Sequence, residues 1–135
     1  MDEQTRQFAR RRAGDRCEYC HLPQHGHEER FPVDHVRPSK HARDDLVANL
    51  AFSCLRCNLF KESNLSGIDP TDRRIVELFD PRRQLWNEHF RWEGARVAGV
   101  TPVGRATVSV MAMNAPERIA LRHSLIQEGR LSSER

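Results

Sequence analysis

The sequence predicts a small α+β fold whose centre runs strand, long loop, strand, helix, followed by a C-terminal hairpin and further helices. Three observations carry that expectation. Two CxxC pairs, Cys17 with Cys20 and Cys54 with Cys57, bracket the centre. Between and across them "RFPVDHV" and "NLAFSC" read as short strands, and "LRCNLFKESN" shifts to helical spacing. Beyond them "FRWEGARVAGV" has the pattern of a hairpin turned at Glu93 and Gly94.

Taken in order, residues Asp2 to Ala13 read as a helix that Gly14 terminates, with Arg6, Arg10, Arg11 and Arg12 on a charged face. "CEYC" is a tight knuckle, and "HLPQHGHEER" is too polar and turn-rich to be anything but loop. The connection "RPSKHARDDLVA" has little apolar content, and long polar connections inside compact domains are often functional. In the helix that follows, Leu55 and Leu59, with Phe60 at the edge, are expected on the apolar face. Farther on, Leu78, Phe79, Leu85, Trp86, Phe90 and Trp92 supply most of the large apolar side chains and are expected to form a small core. Thr101 caps a helix with Pro102 in its first position. Asn114 with Glu117 forms a capping-box-like start to another helix running toward Gly129. Without repeats or a low-complexity linker, residues 1–135 are expected to form one domain, with a metal-bound core at 14–64 and an accessory part at 65–135.

Only 38% of the 135 residues are hydrophobic, so the core is expected to be small and to need a staple. The N-terminus has no apolar stretch of a signal peptide, and no run of apolar residues reaches membrane-spanning length, so a cytoplasmic protein is expected. In a reducing compartment paired CxxC motifs bind metal far more often than they form bridges. Four thiolates complete the tetrahedron of a structural zinc, one per chain. The 33 residues between the pairs exceed the common zinc spacing of about 15 to 20, which leaves a redox dithiol as the rival. A thioredoxin-type pair needs a βαβ setting, which is not visible here. With every ligand place filled by protein, such an ion holds the fold and activates no water. A formal charge of +3 is compatible with a polyanionic partner without requiring one. Of the 22 basic residues only Lys40 and Lys61 are lysines, and arginine's planar fork matches phosphate oxygens in pairs.

Catalysis is therefore sought inside the loop that the cysteines close. There Asp34 and His35 are adjacent, Asn49 follows within the next strand's approach, and Asn58 stands directly behind Cys57. The string "VDHVRPSKHARDDLVANLAFSCLRCNLFK" resembles the His-Asn-His (HNH) endonuclease family in its ββα-metal form, a likeness covering roughly Cys17 to Lys61. The resemblance implies a ββα-metal core with His35 as the general base that activates water. It implies Asp34 and Asn58 as ligands of a divalent cation, and Asn49 as the residue that fixes the loop and orients the histidine. It implies DNA as substrate, with products carrying a 5′-phosphate and a 3′-hydroxyl. The chain departs from the named motif where Asn58 replaces the last histidine, a variant known in the family. An amide oxygen is a harder ligand than imidazole and favours magnesium or manganese.

Elementary chemistry agrees. A phosphodiester gains from a base working near neutral pH, and histidine's ordinary pKa is roughly 6.5. On a regular strand Asp34 and His35 point to opposite faces, so one can face a cation while the other approaches water. Each residue also has a plainer reading: the DH pair as solvent-facing polar residues, Asn58 as a helix cap. Lys40, His41, Arg43 and Lys61 are candidates for nucleic-acid contact, and Arg82 and Arg83 for an extension of that surface. His21, His25 and His27 are expected to be bystanders, since four thiolates already satisfy one ion, and His89 to be structural. The alternative function is a non-catalytic zinc-containing module that binds nucleic acid through its arginines. A homodimer is not indicated by the sequence, though cutting both strands with one site would favour a dimer or two sequential nicks.

Overall fold

In the computed structural model, residues 1–25, 27, 29–40 and 44–133 are described. The chain divides into two compact units, residues 1–65 with 80–83, and residues 66–79 with 84–135. Both are built from short helices and antiparallel strand pairs, which is the expected α+β class.

The first unit opens with helix α1 (Glu3–Arg12), where Asp2 Oδ1 accepts the Thr5 N–H at 2.8 Å. This cap satisfies one of the helix's orphan donors, and Gly14, at φ +69°, takes the left-handed turn that ends it. Strand β1 (Val33–His35) pairs antiparallel with β2 (Leu50–Phe52) in the register Val33 to Phe52, Asp34 to Ala51 and His35 to Leu50. The two short strands expected here are three residues each. A single 3-10 turn, Val47–Asn49, delivers the chain into β2, all of which is buried. Helix α2 (Leu55–Lys61) follows at once, with the Cys54 sulfur in the N-cap place.

The orientation of α2 corrects the sequence reading. Leu55, Leu59 and Phe60 are exposed, and the buried face carries Cys57 and Lys61, one turn apart. The ligand and the lysine set the inward face because their partners lie inside. The guanidinium of Arg56 stacks over the Phe60 ring at 4.8 Å and covers part of the apolar face left outside.

In the second unit, β3 (Ser66–Ile68) pairs with β4 (Ile75–Glu77), a hairpin that no sequence pattern announced. The short helix α3 (Trp86–His89) leads into β5 (Phe90–Glu93), which turns through Gly94 into β6 (Arg96–Gly99) as expected. Helix α4 (Pro102–Val110) is capped by Thr101, whose Oγ1 accepts the Gly104 N–H at 3.0 Å. It packs so closely that a Cβ on Gly104 would lie 2.0 Å from the His89 carbonyl oxygen.

Phe79, Trp86, Phe90 and Trp92 form a connected aromatic cluster with ring centroids 5.1 to 5.6 Å apart, whereas Leu85 is exposed. His89 is structural, with Nδ1 2.7 Å from Thr101 Oγ1. Helix α5 (Pro116–Gln127) starts from Ala115 and not from an Asn114 cap. The Asn114 amide instead bonds both backbone groups of Val97, at 2.9 and 2.7 Å, and so extends the edge of β6.

Candidate functional site

All four cysteines are buried in the first unit, and their sulfurs lie within 4.8 Å of one another. The knuckle around Cys17 aims backbone N–H groups of Tyr19 and Cys20 at its sulfur, 3.4 and 3.5 Å away, and Cys54 Sγ receives the Cys57 N–H at 3.4 Å. Such donors suit sulfur in its anionic form. Burial pushes the Cys17 thiol up, and the neighbouring sulfurs do the same for Cys57, so the thiolates need a cation among them. The four residues could hold one metal ion.

The strand pair beside this cluster displays the DH residues on opposite faces. Asp34 points inward, where its Oδ2 accepts the Tyr19 hydroxyl at 2.9 Å and lies 3.2 Å from Lys61 Nζ. Burial raises the Asp34 carboxyl, with the Lys61 ammonium opposing that rise. His35 emerges at the end of β1, 26% exposed, and its Nε2 lies 2.7 Å from Asp45 Oδ1. Asn49, 5% exposed, clamps the intervening loop. Its Oδ1 accepts the Arg37 N–H at 2.9 Å, and its Nδ2 donates to the carbonyls of Arg37 and Asp44 at 3.1 and 2.8 Å.

Residues 17–64 match the family model described as HNH endonuclease. This segment is an HNH domain. Neither a curated protein nor a solved structure matches the chain. Nuclease-type chemistry follows at the level of the family, and HNH nucleases act on nucleic acids. Among the described residues, no helix is long and apolar enough to cross a membrane.

Within the HNH domain the expected site residues divide. The backbones at the end of β1 and just before β2 meet where the Val36 N–H donates to the Asn49 carbonyl at 2.8 Å, which brings His35 and Asn49 to one strand end while Asp34 faces inward, and Asn58 sits half-buried in the first turn of α2. Asn49 bonds the loop backbone and reaches Arg37 and Asp44, not the imidazole. Lys61, expected at a nucleic-acid surface, is instead 2% exposed. Its ammonium donates to the carbonyls of His35 and Val36 at 3.2 and 3.3 Å as well as facing Asp34. A buried ammonium must find such acceptors, which leaves none of it for a ligand. Lys40 is exposed, while His41 and Arg43 lie outside the described residues.

Sequence reasoning missed two members of this site. Tyr19 lies within the CEYC knuckle, where its hydroxyl finds Asp34, and Asp45 sits in the polar loop opposite His35. A lone tyrosine between two ligand cysteines was the only signal for the first. One of two consecutive aspartates was the only signal for the second.

Proposed function

We propose that the chain is an HNH endonuclease that hydrolyses DNA phosphodiester bonds with a divalent metal ion, His35 being the general base. The observation that carries this is the partly exposed His35 imidazole, held by Asp45 at 2.7 Å on a strand end whose loop Asn49 pins. A base must be accessible to water yet fixed in orientation, and this arrangement meets both needs. Asp34 and Asn58 offer hard oxygen donors, the set that magnesium or manganese takes when most other positions are water or phosphate. The Tyr19 and Lys61 contacts to Asp34 both fall on Oδ2, so Oδ1 is outside those bonds. When bound, a divalent cation supplies charge neutralisation at the scissile phosphate and the leaving oxygen. His35 takes the proton of the attacking water, and Asp45 steadies the ring that receives it.

The four cysteines are read as a zinc site, one ion per chain. Sulfurs at about 2.3 Å from zinc in a tetrahedron stand about 3.8 Å apart, and Cys20 and Cys54 are separated by 3.8 Å. With four protein ligands this ion organises the fold, and residues 1–135 act as one nuclease whose C-terminal part is accessory. Products with a 5′-phosphate and a 3′-hydroxyl are what the HNH resemblance implies.

Plasmid nicking with added magnesium or manganese tests the reading. General-base catalysis contributes typically 10²- to 10⁴-fold, so His35→Ala should lose cleavage to that degree while keeping its zinc and fold. Asn58→Ala should lose metal-dependent cleavage with zinc retained, whereas Cys57→Ser should lose fold and activity together. Wild type as inert as His35→Ala across several metals, with both still binding DNA, would leave the non-catalytic nucleic-acid module in its place.

A further inference from the structure

A groove of about 510 Å³ opens on the first unit, and its lining is unusually one-sided in charge. Arg12, Arg37, Arg82 and Arg83 contribute four guanidinium groups and, among the described residues, Asp80 the only carboxylate, with Asn49 also in the lining. We propose that this groove binds phosphates of the DNA backbone and leads the strand to His35, an inference that rests on the nuclease reading above.

Four features of the groove support an anionic occupant. Arg82 is largely buried and pairs with Glu18, yet among the described residues its Nη1 is buried without a hydrogen-bond partner. Buried donors are rarely left unmet, and an anion in the groove would supply the missing acceptor. Arg12 donates to the carbonyls of Val47 and Leu50 at 2.9 and 2.6 Å, which fixes a guanidinium at the wall. Burial lowers its pKa, and the like charge of Arg82 lowers it further against the pull of Glu18, so positive charge is crowded here. Arg37 has its backbone N–H and carbonyl both held by Asn49. Its exposed side chain therefore starts from a fixed point two residues beyond His35. Asp80 is occupied within its own turn, accepting the Arg82 N–H at 2.8 Å and lying 3.9 Å from Arg83 Nε.

A volume of this size is in the range of ordinary ligand sites, roughly 300 to 1,000 Å³, and exceeds what one small ion needs. Paired guanidinium forks suit phosphate oxygens better than ammonium groups do, and the groove contains no lysine. Arg37 and Arg83 are exposed and can be changed without touching the Arg12 carbonyl bonds or the Arg82–Glu18 pair.

The test measures binding of a labelled duplex by fluorescence anisotropy, without added divalent ion, across a salt series. It compares wild type, His35→Ala, the double variant Arg37→Gln/Arg83→Gln, and a charge-matched control, Arg73→Gln/Arg96→Gln, on exposed positions of the second unit. Zinc content and melting temperature check that each variant is folded. The groove variant should bind about tenfold more weakly, and its slope of log affinity against log salt should shrink by about 2. The control and His35→Ala should bind as wild type does. An unchanged affinity and slope in the groove variant, or an equal loss in the control, would overturn the proposal even if wild type cleaves DNA. A groove-dependent binder that cuts nothing with any metal would instead sink the nuclease reading and leave the groove standing.

Discussion

Lys61 shows how a residue's role depends on what lies beneath it. In the sequence it is one of two lysines and stands one turn beyond a metal-ligand cysteine, a natural place for a phosphate contact. In the structure it is a buried cation that ties α2 to the end of β1 through two carbonyls and Asp34. Replacing one partner of a buried ion pair leaves the other uncompensated, at about 3 to 5 kcal/mol. Lys61→Met should therefore lower the unfolding free energy from chemical denaturation by that order while DNA affinity of the folded protein is unchanged; a weakened affinity at full stability would return Lys61 to the substrate surface. Asn49 was picked out by the HNH resemblance, but its partners were not, because nothing local says which backbone groups a side-chain amide will meet across twelve residues.

At the scale of elements, those that formed as expected are the ones whose signals lie within one turn. Asp2 and Thr101 cap their helices, Gly14 and Gly129 follow helix ends with positive φ, and Gly94 turns the β5–β6 hairpin. Asn114 failed as a cap because Val97 presents a backbone donor and acceptor at the right separation, a competition invisible in sequence. The β3–β4 hairpin was missed for a similar reason. Its strands are only three residues each and half-exposed, and it closes beside Asp69, which accepts a two-pronged contact from Arg105 at 3.0 and 2.9 Å.

That contact has a pH signature. Hydrogen bonds from Arg105, and then from the Thr71 backbone, hold the Asp69 carboxyl at about 2 against an ordinary 3.8. A folded-state pKa below the unfolded one contributes stability above the unfolded value and loses it as pH falls toward the folded one. Melting temperature should thus fall as pH drops from about 4 to about 2, and Asp69→Asn should flatten that part of the profile; an unchanged profile would remove Asp69 from the account. Packing of α4 makes a separate demand. Gly104→Ala should destabilise the second unit by about 1 to 3 kcal/mol, since backbone and not a flexible side chain blocks the added methyl.

At the scale of the whole molecule, each unit has its own core, and the chain's chromophores report on them separately. The single tyrosine, Tyr19, is in the metal-binding unit, and both tryptophans are in the other. Removing the metal leaves four buried sulfurs without a cation and so should unfold the first unit. Titration with a strong chelator should shift the Tyr19 absorbance toward that of a solvent-exposed phenol and abolish DNA binding, with tryptophan emission retained. Simultaneous loss of both signals would show that the units do not fold independently.

The α+β class, the pairing of the two CxxC motifs, the HNH resemblance and most helix ends can be read from the order of the residues alone. These are written in short-range spacing, which fixes where side chains fall on one strand, knuckle or turn. Folding in three dimensions sends Lys61 inside, joins Tyr19 to Asp34 and Asp45 to His35, and lines one groove with Arg12, Arg37, Arg82 and Arg83. Those residues are separated by as many as 71 positions, from Arg12 to Arg83. Their meeting depends on which buried donors and charges the closed chain must satisfy, and no local pattern carries that information.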